Sequence, residues 1–511
     1  MQRGMNRREF IGSMALGAAV SGSMRIATAR TSPRGEREMT DVDFIDGRWI
    51  AHSYFLERTV ARPPRVSPEP VIVPAGAHGS VVPTADGLAM WYSTVRWVPF
   101  KGGKTHQTWI HYATSRDGIT FELPELGSPE EGNVIIAGND TGADGKPLTG
   151  VRGCSGICVL DAEQQTVPHA RARYTAMYRA WIPGKHGGLS LACSNDGLHW
   201  TGYAENTLRI GESDTFNNFF YDEKNKQYVA YVRPLVHAGP SHVNRCMARI
   251  ESDDMIHWGN EQLVLDTDDA DASAVGTVNE AKHADGTPYP RGRNKQYYGL
   301  TVTPYQDLYL GLASFYDVEP GTMWIELLHS YDGVTWRREP KREPLIDVGQ
   351  GEAWDAGLAY YPAAGCPVAV GDEWFIYYAG TNFDHHSKNR SRKDLGQYRG
   401  MGAVRLPRGR LVGYTAGEAA GELITRSFKW TNSELLLNTD AAGGSVEVAI
   451  CNAGGSPIKG FTRHDAEPIR SDGLRVPVSF RGSAALASLR GRDVRLRVHA
   501  ERAAVYGFSM S

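Results

Sequence analysis

Three carboxylates stand out as candidates for acid and base chemistry. Asp214 follows a turn in "GESDTFNN", and Glu352 and Asp355 flank a tryptophan in "GQGEAWDAG". When two carboxyl groups face each other in a partly buried site, their repulsion raises one pKa and leaves a protonated acid beside an ionised base. Cleavage of a glycosidic bond requires such a pair. We therefore predict Asp214, Glu352 and Asp355 as catalytic residues.

Each of these carboxylates also has a structural alternative. Asp214 can cap the strand that follows it or pair with Arg233. Residues three apart on an extended segment point to opposite sides, so we expect only one of Glu352 and Asp355 to face a central site.

Side chains suited to holding a sugar occur in the loops on the same side of the expected fold. Aromatic faces stack on sugar rings, while polar and charged groups bind hydroxyl groups or an anionic substituent. The predicted substrate-binding residues are His78, Arg152, Trp181, Asn217, Arg233, Trp354, His385 and Arg390.

The loop "DHHSKNRSRK" has three interpretations. A carboxylate and two histidines, Asp384 to His386, suit a divalent ion, but adjacent residues on an extended chain diverge and no matching ligand pair occurs elsewhere. A solvated basic loop is the second interpretation. The third is an anion clamp in which Arg390 and Arg392 of this loop act with Arg152, Arg233 and Lys185 of neighbouring loops. We predict no metal and no cofactor.

The elements that position these loops follow from a heptapeptide that occurs four times. The copies are "SRDGITF", "SNDGLHW", "SDDMIHW" and "SYDGVTW", and they start at residues 115, 194, 252 and 330. Each follows a short apolar run and precedes another extended segment, which predicts a strand, a tight turn and a strand. The repeated acids are predicted to form turns and not to catalyse: Asp117, Asp196, Asp253 and Asp332.

The spacing of the copies fits one four-stranded unit each, which favours a β-propeller. Five pairs of inner strands can be counted, so we predict an all-β protein with a five-bladed β-propeller over residues 40–420 and a β-sandwich over 421–511. The heptapeptides join the third and fourth strands of a blade. The candidate site residues lie at the opposite end.

The N-terminal stretch resembles a twin-arginine export signal. Arg7 and Arg8 precede small apolar residues that end in "ATA", so residues 1–29 are interpreted as the signal and the mature protein is expected in the periplasm or outside the cell. No later apolar run is long enough to span a bilayer. The formal net charge of -3 gives no reason to expect a nucleic acid partner.

Five blades, S-x-D-G-x-x-W turns and a trailing sandwich together resemble the five-bladed propeller glycoside hydrolases, the broad group around families 32 and 43. This resemblance covers nearly all of the mature chain and implies an O-glycosyl hydrolase. The W-x-N-D-P and R-D-P stretches of family 32 are absent, and His78 stands where the first blade of that family carries an acid. The family's catalytic residues therefore cannot be transferred to this chain.

Three functions remain open from the sequence. The first is a glycosidase acting on a neutral or anionic oligo- or polysaccharide. The second is a polysaccharide lyase that acts on a uronate, with His78, Tyr297 or His385 as base and Arg152 and Arg233 neutralising the charge. The third is a propeller that binds carbohydrate without catalysis. Nothing in the sequence favours a particular oligomeric state.

Overall fold

The computed structural model describes most of the chain between residue 41 and the C-terminus. The described residues are 41–76, 78–100, 103–126, 133–137, 140, 153–180, 188–205, 213, 217–233, 245–271, 295–387, 391, 394, 396–482 and 485–511. Side chains of residues 96–100, 103–106 and 269 are not part of this description. Nearly all regular structure in these ranges is β-strand, as the turn-rich sequence predicts.

Three short strands come first in the described chain: β1 (Asp41–Asp43), β2 (Ile50–Tyr54) and β3 (Glu57–Val60). Five antiparallel units follow within the described residues, and a parallel bridge between Met323 and Leu358 joins the fourth and fifth into one sheet. The first two units comprise β4 (Gly79–Thr84), β5 (Gly87–Phe100), β6 (Gly103–Ser115), β7 (Val134–Ile136), β8 (Cys154–Asp161), β9 (Tyr174–Ala180), β10 (Gly188–Ser194) and β11 (Thr201–Gly202). The third and fourth comprise β12 (Asn218–Asp222), β13 (Gln227–Val232), β14 (Met247–Ser252), β15 (Gly259–Leu265), β16 (Lys295–Tyr305), β17 (Leu308–Asp317), β18 (Thr322–Ser330) and β19 (Arg337–Arg338). The fifth comprises β20 (Leu358–Pro362), β21 (Val368–Val370), β22 (Glu373–Thr381) and β23 (Arg399–Pro407).

The first strands of these units contact one another in a closed cycle. Strand β4 touches β8, β8 touches β12, β12 touches β16, and β16 touches β20. The fifth unit returns to the first where Val81 N donates to Ala364 O at 2.8 Å. A ring of radial sheets around such a cycle is the β-propeller that the sequence predicts.

A segment before the first unit supplies the outer edge of the fifth. Val66 N donates to Ala403 O at 3.0 Å, and Val71 N donates to Met401 O at 2.8 Å, so residues 64–72 run along β23. This segment satisfies backbone groups that would otherwise form an open sheet edge. The ring is thus closed by chain from both of its ends.

The heptapeptide turns share one pattern of hydrogen bonds between an acidic side chain and the backbone. Asp196 Oδ1 accepts hydrogen bonds from Leu198 N at 2.9 Å and His199 N at 2.8 Å. In the third copy Asp254, and not Asp253, accepts the equivalent bonds from the backbone. The expectation for Asp253 is therefore wrong, because the pattern places the acid two residues after the serine, where its carboxylate can reach the turn amides.

Each of three heptapeptide turns also accepts a hydrogen bond from the second strand of the preceding unit. Trp91 Nε1 donates to Gly197 O at 2.8 Å, Tyr231 Oη to Gly333 O at 2.7 Å, and Tyr377 Oη to Gly118 O at 2.6 Å. The donors are the fifth residue of β5, β13 and β22. The repeated glycine therefore lies at a junction between units, and its carbonyl oxygen joins them.

The last part of the chain forms two sheets with a shared core. The remaining strands are β24 (Val412–Ala416), β25 (Gly421–Thr425), β26 (Phe428–Lys429), β27 (Leu435–Asp440), β28 (Ser445–Asn452), β29 (Asp472–Pro477), β30 (Asp493–Glu501) and β31 (Ala503–Met510). Short 3₁₀ helices lie at Asp269–Asp271, Arg463–Asp465 and Leu486–Leu489. Leu423 and Leu496 of one sheet and Leu437 and Phe508 of the other belong to one buried cluster.

This two-sheet domain differs in extent from the predicted sandwich at 421–511. Strands β1 and β3 pair in the sheet of β24, β27, β29 and β31, and β2 pairs with β25. Residues 41–60 therefore belong to the C-terminal domain and not to the propeller that was predicted from residue 40. The N-terminal strands contribute pairs more than 300 residues away in sequence, such as Val42 with Phe508, which local patterns do not report.

Two further features complete the fold. All six cysteines are free thiols. Across the described ranges, no helix is long and apolar enough to cross a membrane.

Candidate functional site

One end of the propeller collects the ends of several inner strands. In an antiparallel unit the first strand begins where the second strand ends and the third begins. His78 precedes β4, Asn217 precedes β12, Arg233 follows β13, and His385 lies in the loop after β22. These four of the predicted binding residues therefore lie at this end, which we call the mouth. The heptapeptide turns lie at the other end.

His385 is held between two tyrosine hydroxyl groups at the mouth. Its Nε2 lies 2.9 Å from Tyr298 Oη, and its Nδ1 lies 3.1 Å from Tyr316 Oη. Burial, together with the positive charges of Arg245 and Arg233, lowers the pKa of His385 to about 4. Burial raises the pKa of Tyr316 to about 12. The imidazole and the Tyr316 phenol are therefore both neutral at pH 7.

This arrangement leaves one hydroxyl proton for a further acceptor. A neutral imidazole has one N–H donor and one acceptor nitrogen. One of the two phenols therefore accepts from His385 and the other donates to it. The accepting phenol keeps its own O–H, and where this phenol is the partly exposed Tyr298, that O–H can donate to a bound molecule.

Two guanidinium groups lie against the same tyrosines. The Cζ atom of Arg233 is 4.4 Å from the centre of the Tyr298 ring, and that of Arg245 is 5.2 Å from it. Arg245 also lies 5.6 Å from the centre of the Tyr316 ring. We call these five residues the mouth cluster: Arg233, Arg245, Tyr298, Tyr316 and His385. Tyr298, Arg245 and His385 are partly exposed, so the cluster can be reached from solvent.

The backbone bends to present the cluster. Strand β16 has a register shift between Tyr297 and Gly299, and this bulge directs Tyr298 to the mouth while Tyr297 packs on the other side, beside Arg338. Tyr361 has φ 46°, in the left-handed region where non-glycine residues are uncommon. A Cβ at Gly299 would lie 3.1 Å from the Tyr361 ring, closer than an ordinary van der Waals contact, so a larger residue there would displace that ring.

His78 joins the aromatic group from the first unit. It is buried, and its ring lies 4.3 Å from that of Tyr361. Tyr361 in turn lies 5.5 Å from the Tyr298 ring. The structure thus brings His78, Arg233 and His385 into one connected group, which the sequence predicted only as loop neighbours.

The loop that contains His385 is packed onto the neighbouring unit. His385 N donates to Gly321 O at 2.8 Å, and His386 Nε2 lies 2.7 Å from Val318 O. Both ring nitrogens of His385 already have phenol partners. Within the described residues, no group of three or more His, Cys, Asp or Glu side chains is arranged to hold a metal ion. At its first three residues, the loop is therefore packed against the neighbouring unit.

The three catalytic candidates have different positions. Asp214 lies outside the described residues, between Ser213 and Asn217, which are both buried and joined by a hydrogen bond of 2.5 Å from Ser213 Oγ to Asn217 Oδ1. Glu352 is exposed in the loop that enters β20. Asp355 is 0% exposed. Of the two acids in that loop, Glu352 is the one that a substrate can reach.

Asp355 and Trp354 have structural surroundings. Asp355 Oδ2 accepts from Arg65 Nε at 2.8 Å and from Tyr378 Oη at 2.7 Å. Trp354 is 1% exposed, and its ring fills the space beside Gly380 and Gly402, where a Cβ would approach it to 2.5 and 2.6 Å. Trp354 presents no exposed face on which a sugar ring could stack. This burial favours a packing role for both residues.

The remaining predicted binding residues divide into two groups. Asn217 is buried and bonded to Ser213. Arg152, Trp181 and Arg390 lie outside the described residues. Arg245, Tyr298 and Tyr316 were missed by the sequence analysis, although the tyrosine pair in "KQYYG" at the start of an inner strand was an available signal.

Comparisons with known proteins give resemblances at the level of solved structures. No protein-family model matches the chain, and no significant match was found among curated proteins. The chain is similar to an N-acetylgalactosamine deacetylase from F. plautii in complex with blood group B trisaccharide, with 14% identity, a TM-score of 0.41, and coverage of 70% of this chain and 96% of that one. It is also similar to a thermostable family-43 glycoside hydrolase, with 11% identity, a TM-score of 0.40, and coverage of 64% and 91%. A glycosyl hydrolase from Bacteroides ovatus has 14% identity, a TM-score of 0.40, and coverage of 69% and 94%. The β-propeller assignment rests on the sheet order and the closed cycle of inner strands, and not on these scores.

Proposed function

We propose that the protein is an exported glycoside hydrolase that binds an oligo- or polysaccharide at the mouth. The observation that carries this proposal is the mouth cluster, in which a neutral His385 and partly exposed tyrosine and arginine side chains line one end of the ring. Aromatic surface with a few convergent polar groups is the usual composition of a carbohydrate site. The N-terminal segment with Arg7 and Arg8 supports export through a twin-arginine signal.

Asp214 and Glu352 are the proposed working carboxylates. Asp214 follows buried Ser213 at the entrance to β12, and Glu352 is the exposed acid at the entrance to β20. One donates a proton to the leaving oxygen, and the other acts as base or nucleophile at the anomeric carbon. A separation of about 5 Å between them gives retention of configuration, and about 6.5 to 9.5 Å gives inversion.

The test is release of reducing sugar by the mature protein without residues 1–29. Neutral and anionic polysaccharides and aryl glycosides serve as substrates, and Asp214→Asn and Glu352→Gln are compared with wild type. The matched control is Asp253→Asn, an exposed acid at the heptapeptide end. Loss of turnover by about 10²-fold or more in the first two variants, with the control unchanged, is expected. Full turnover in both variants would overturn these roles, and binding without any turnover would favour a carbohydrate-binding propeller.

A polysaccharide lyase is a second candidate, favoured by the neutral His385 with its two phenol partners. In that reaction a base takes the C5 proton of a uronate, a C4–C5 double bond forms, and the C4–O bond breaks, with the leaving oxygen taking a proton from an acid. His385 or a tyrosine could fill these roles. The unsaturated product absorbs ultraviolet light, whereas hydrolysis products do not, so the same digests distinguish the two reactions.

A further inference from the structure

The mouth cluster has a charge and donor pattern that is more specific than sugar binding alone. Its two guanidinium groups bring two positive charges, and Arg245 and the Tyr298 phenol are partly exposed. We propose that this cluster is a subsite for an anionic oxygen group, a carboxylate or sulfate on the glycan. The proposal rests on the proposed function for its glycan partner and adds the substrate class.

The positive charges at the cluster lower the pKa of its histidine, His385. Arg245, His386 and Arg233 all lower the pKa of His385, whereas Asp384 raises it, and burial adds to the lowering. These are the charged groups that face His385 from its own loop and from the third unit. An anion bound here would oppose the guanidinium charges and raise the pKa of His385.

Arg245 is the residue best placed to contact the anion. Its Nη1 donates to Gln296 Oε1 at 2.7 Å, which leaves further N–H groups of the guanidinium for a ligand. Arg245 is only partly buried. Arginine binds carboxylate and sulfate-like groups through paired N–H bonds that lysine cannot reproduce.

Arg233 has a supporting position. It is 3% exposed, and its Nη1 donates to Tyr298 O at 3.0 Å. Its guanidinium lies over the Tyr298 ring and so places charge behind the tyrosine that bonds His385. Charge held in a buried position is screened less by salt than charge at the surface.

The experiment measures binding of defined probes by isothermal titration calorimetry with the mature protein. The probes are galacturonate, tetragalacturonate, its carboxyl-reduced neutral analogue, and a sulfated galactose disaccharide. Wild type is compared with Arg245→Gln and Arg245→Lys. The matched control is Arg337→Gln, an exposed arginine that lies 5.6 Å from the Tyr331 ring at the heptapeptide end.

We expect an acidic probe to bind, Arg245→Gln to weaken that binding by about 10-fold or more, and Arg245→Lys to recover only part of it. The Arg337→Gln control should bind as wild type does. Preference for tetragalacturonate identifies a carboxylate subsite, and preference for the sulfated disaccharide identifies a sulfate subsite. Histidine NMR should show the pKa of His385 rising when the acidic probe is bound.

Failure of this proposal is distinct from failure of the proposed function. Equal binding of tetragalacturonate and its neutral analogue, unchanged by Arg245→Gln, would overturn the anion subsite while glycan binding stands. Binding of acidic probes that depends on Arg245, with no turnover of any polysaccharide, would support the subsite and overturn the hydrolase. No binding of any acidic probe would overturn the subsite whatever the turnover assays give.

Discussion

Arg65 and Asp355 form an ion pair in which Arg65 Nη2 lies 2.7 Å from Asp355 Oδ2, with Asp355 buried and Arg65 partly exposed. Arg65 belongs to the segment that borders β23, and Asp355 belongs to the loop that enters β20. The pair therefore links the outermost segment of the fifth unit to the loop that enters the innermost strand of the same unit. A carboxylate that was a catalytic candidate by sequence thus contributes to closing the ring.

Replacing Asp355 should mainly affect stability. Asp355→Ala leaves the buried Tyr378 hydroxyl without its acceptor and the partly exposed Arg65 guanidinium without its carboxylate, which together cost about 1–3 kcal/mol in free energy of unfolding. Urea denaturation measures this change. The double variant Arg65→Met with Asp355→Leu should recover part of the loss because no unpaired guanidinium remains. An Asp355→Ala protein with unchanged stability and abolished turnover would instead make Asp355 catalytic.

His385 predicts a pH dependence of stability. Its pKa is about 4 in the folded protein, below the ordinary value of 6.5. Between these values the unfolded chain binds a proton that the folded chain does not, so this contribution is complete above pH 6.5 and is lost as the pH falls towards 4. His385→Asn should reduce the slope of unfolding free energy against pH in this window. The exposed His464→Asn is the control, and identical slopes for wild type and His385→Asn would contradict the shifted pKa.

The hydroxyl of Tyr377 should stabilise the junction between the fifth and first units. Tyr377→Phe removes its bond to Gly118 O and leaves a buried carbonyl oxygen without that donor, which costs about 1–3 kcal/mol. Tyr231→Phe removes the same kind of bond to Gly333 O between the third and fourth units and should cost a similar amount. Thermal unfolding of both variants checks this. No shift in the midpoint of either variant would show that these bonds do not stabilise the ring.

Asp253 and Asp254 are adjacent acids in the third heptapeptide, and comparing variants of the two distinguishes the turn role from an effect of surface charge. Asp254→Ala removes an acceptor of two backbone hydrogen bonds and should lower the free energy of unfolding by about 1–2 kcal/mol. Asp253→Ala changes an exposed side chain and should have an effect within about 0.5 kcal/mol. Turnover should be unchanged in both because the turn lies opposite the mouth. The reverse order of stabilities would restore Asp253 as the turn former.

Asp43 predicts a loss of stability as the pH rises. Burial raises its pKa to about 7 from an ordinary 3.8, and the hydrogen bond from Tyr305 Oη opposes the shift. Between these values the folded chain holds a proton that the unfolded chain has lost, so stability from this residue falls as the pH rises through the window. The free energy of unfolding of Asp43→Asn, relative to that of wild type, should therefore be higher at pH 8 than at pH 4. The exposed Asp86→Asn serves as control, and a difference that does not change with pH would contradict the shift.

Local patterns in the sequence were sufficient for the strands, the turns and the propeller. The heptapeptide carries its own turn, because Ser194 and Asp196 bond the backbone within the same seven residues. A repeat of this kind predicts a repeated strand pair wherever it occurs. The position of the mouth followed from the same reasoning, because alternating strand direction decides at which end a loop emerges.

Which side chains meet at the mouth was decided by the tertiary structure. Tyr298 meets His385 at the mouth, whereas its neighbour Tyr297 packs on the other side of β16, where the strand has a bulge. Asp355 and Glu352 are similar in sequence context, but only Asp355 meets Arg65, a residue 290 positions away. The sequence alone determined residue types and local geometry. Burial, charge pairing and pKa arise from contacts between distant segments, and they decided which of those residues stay accessible at the mouth and which hold the ring together.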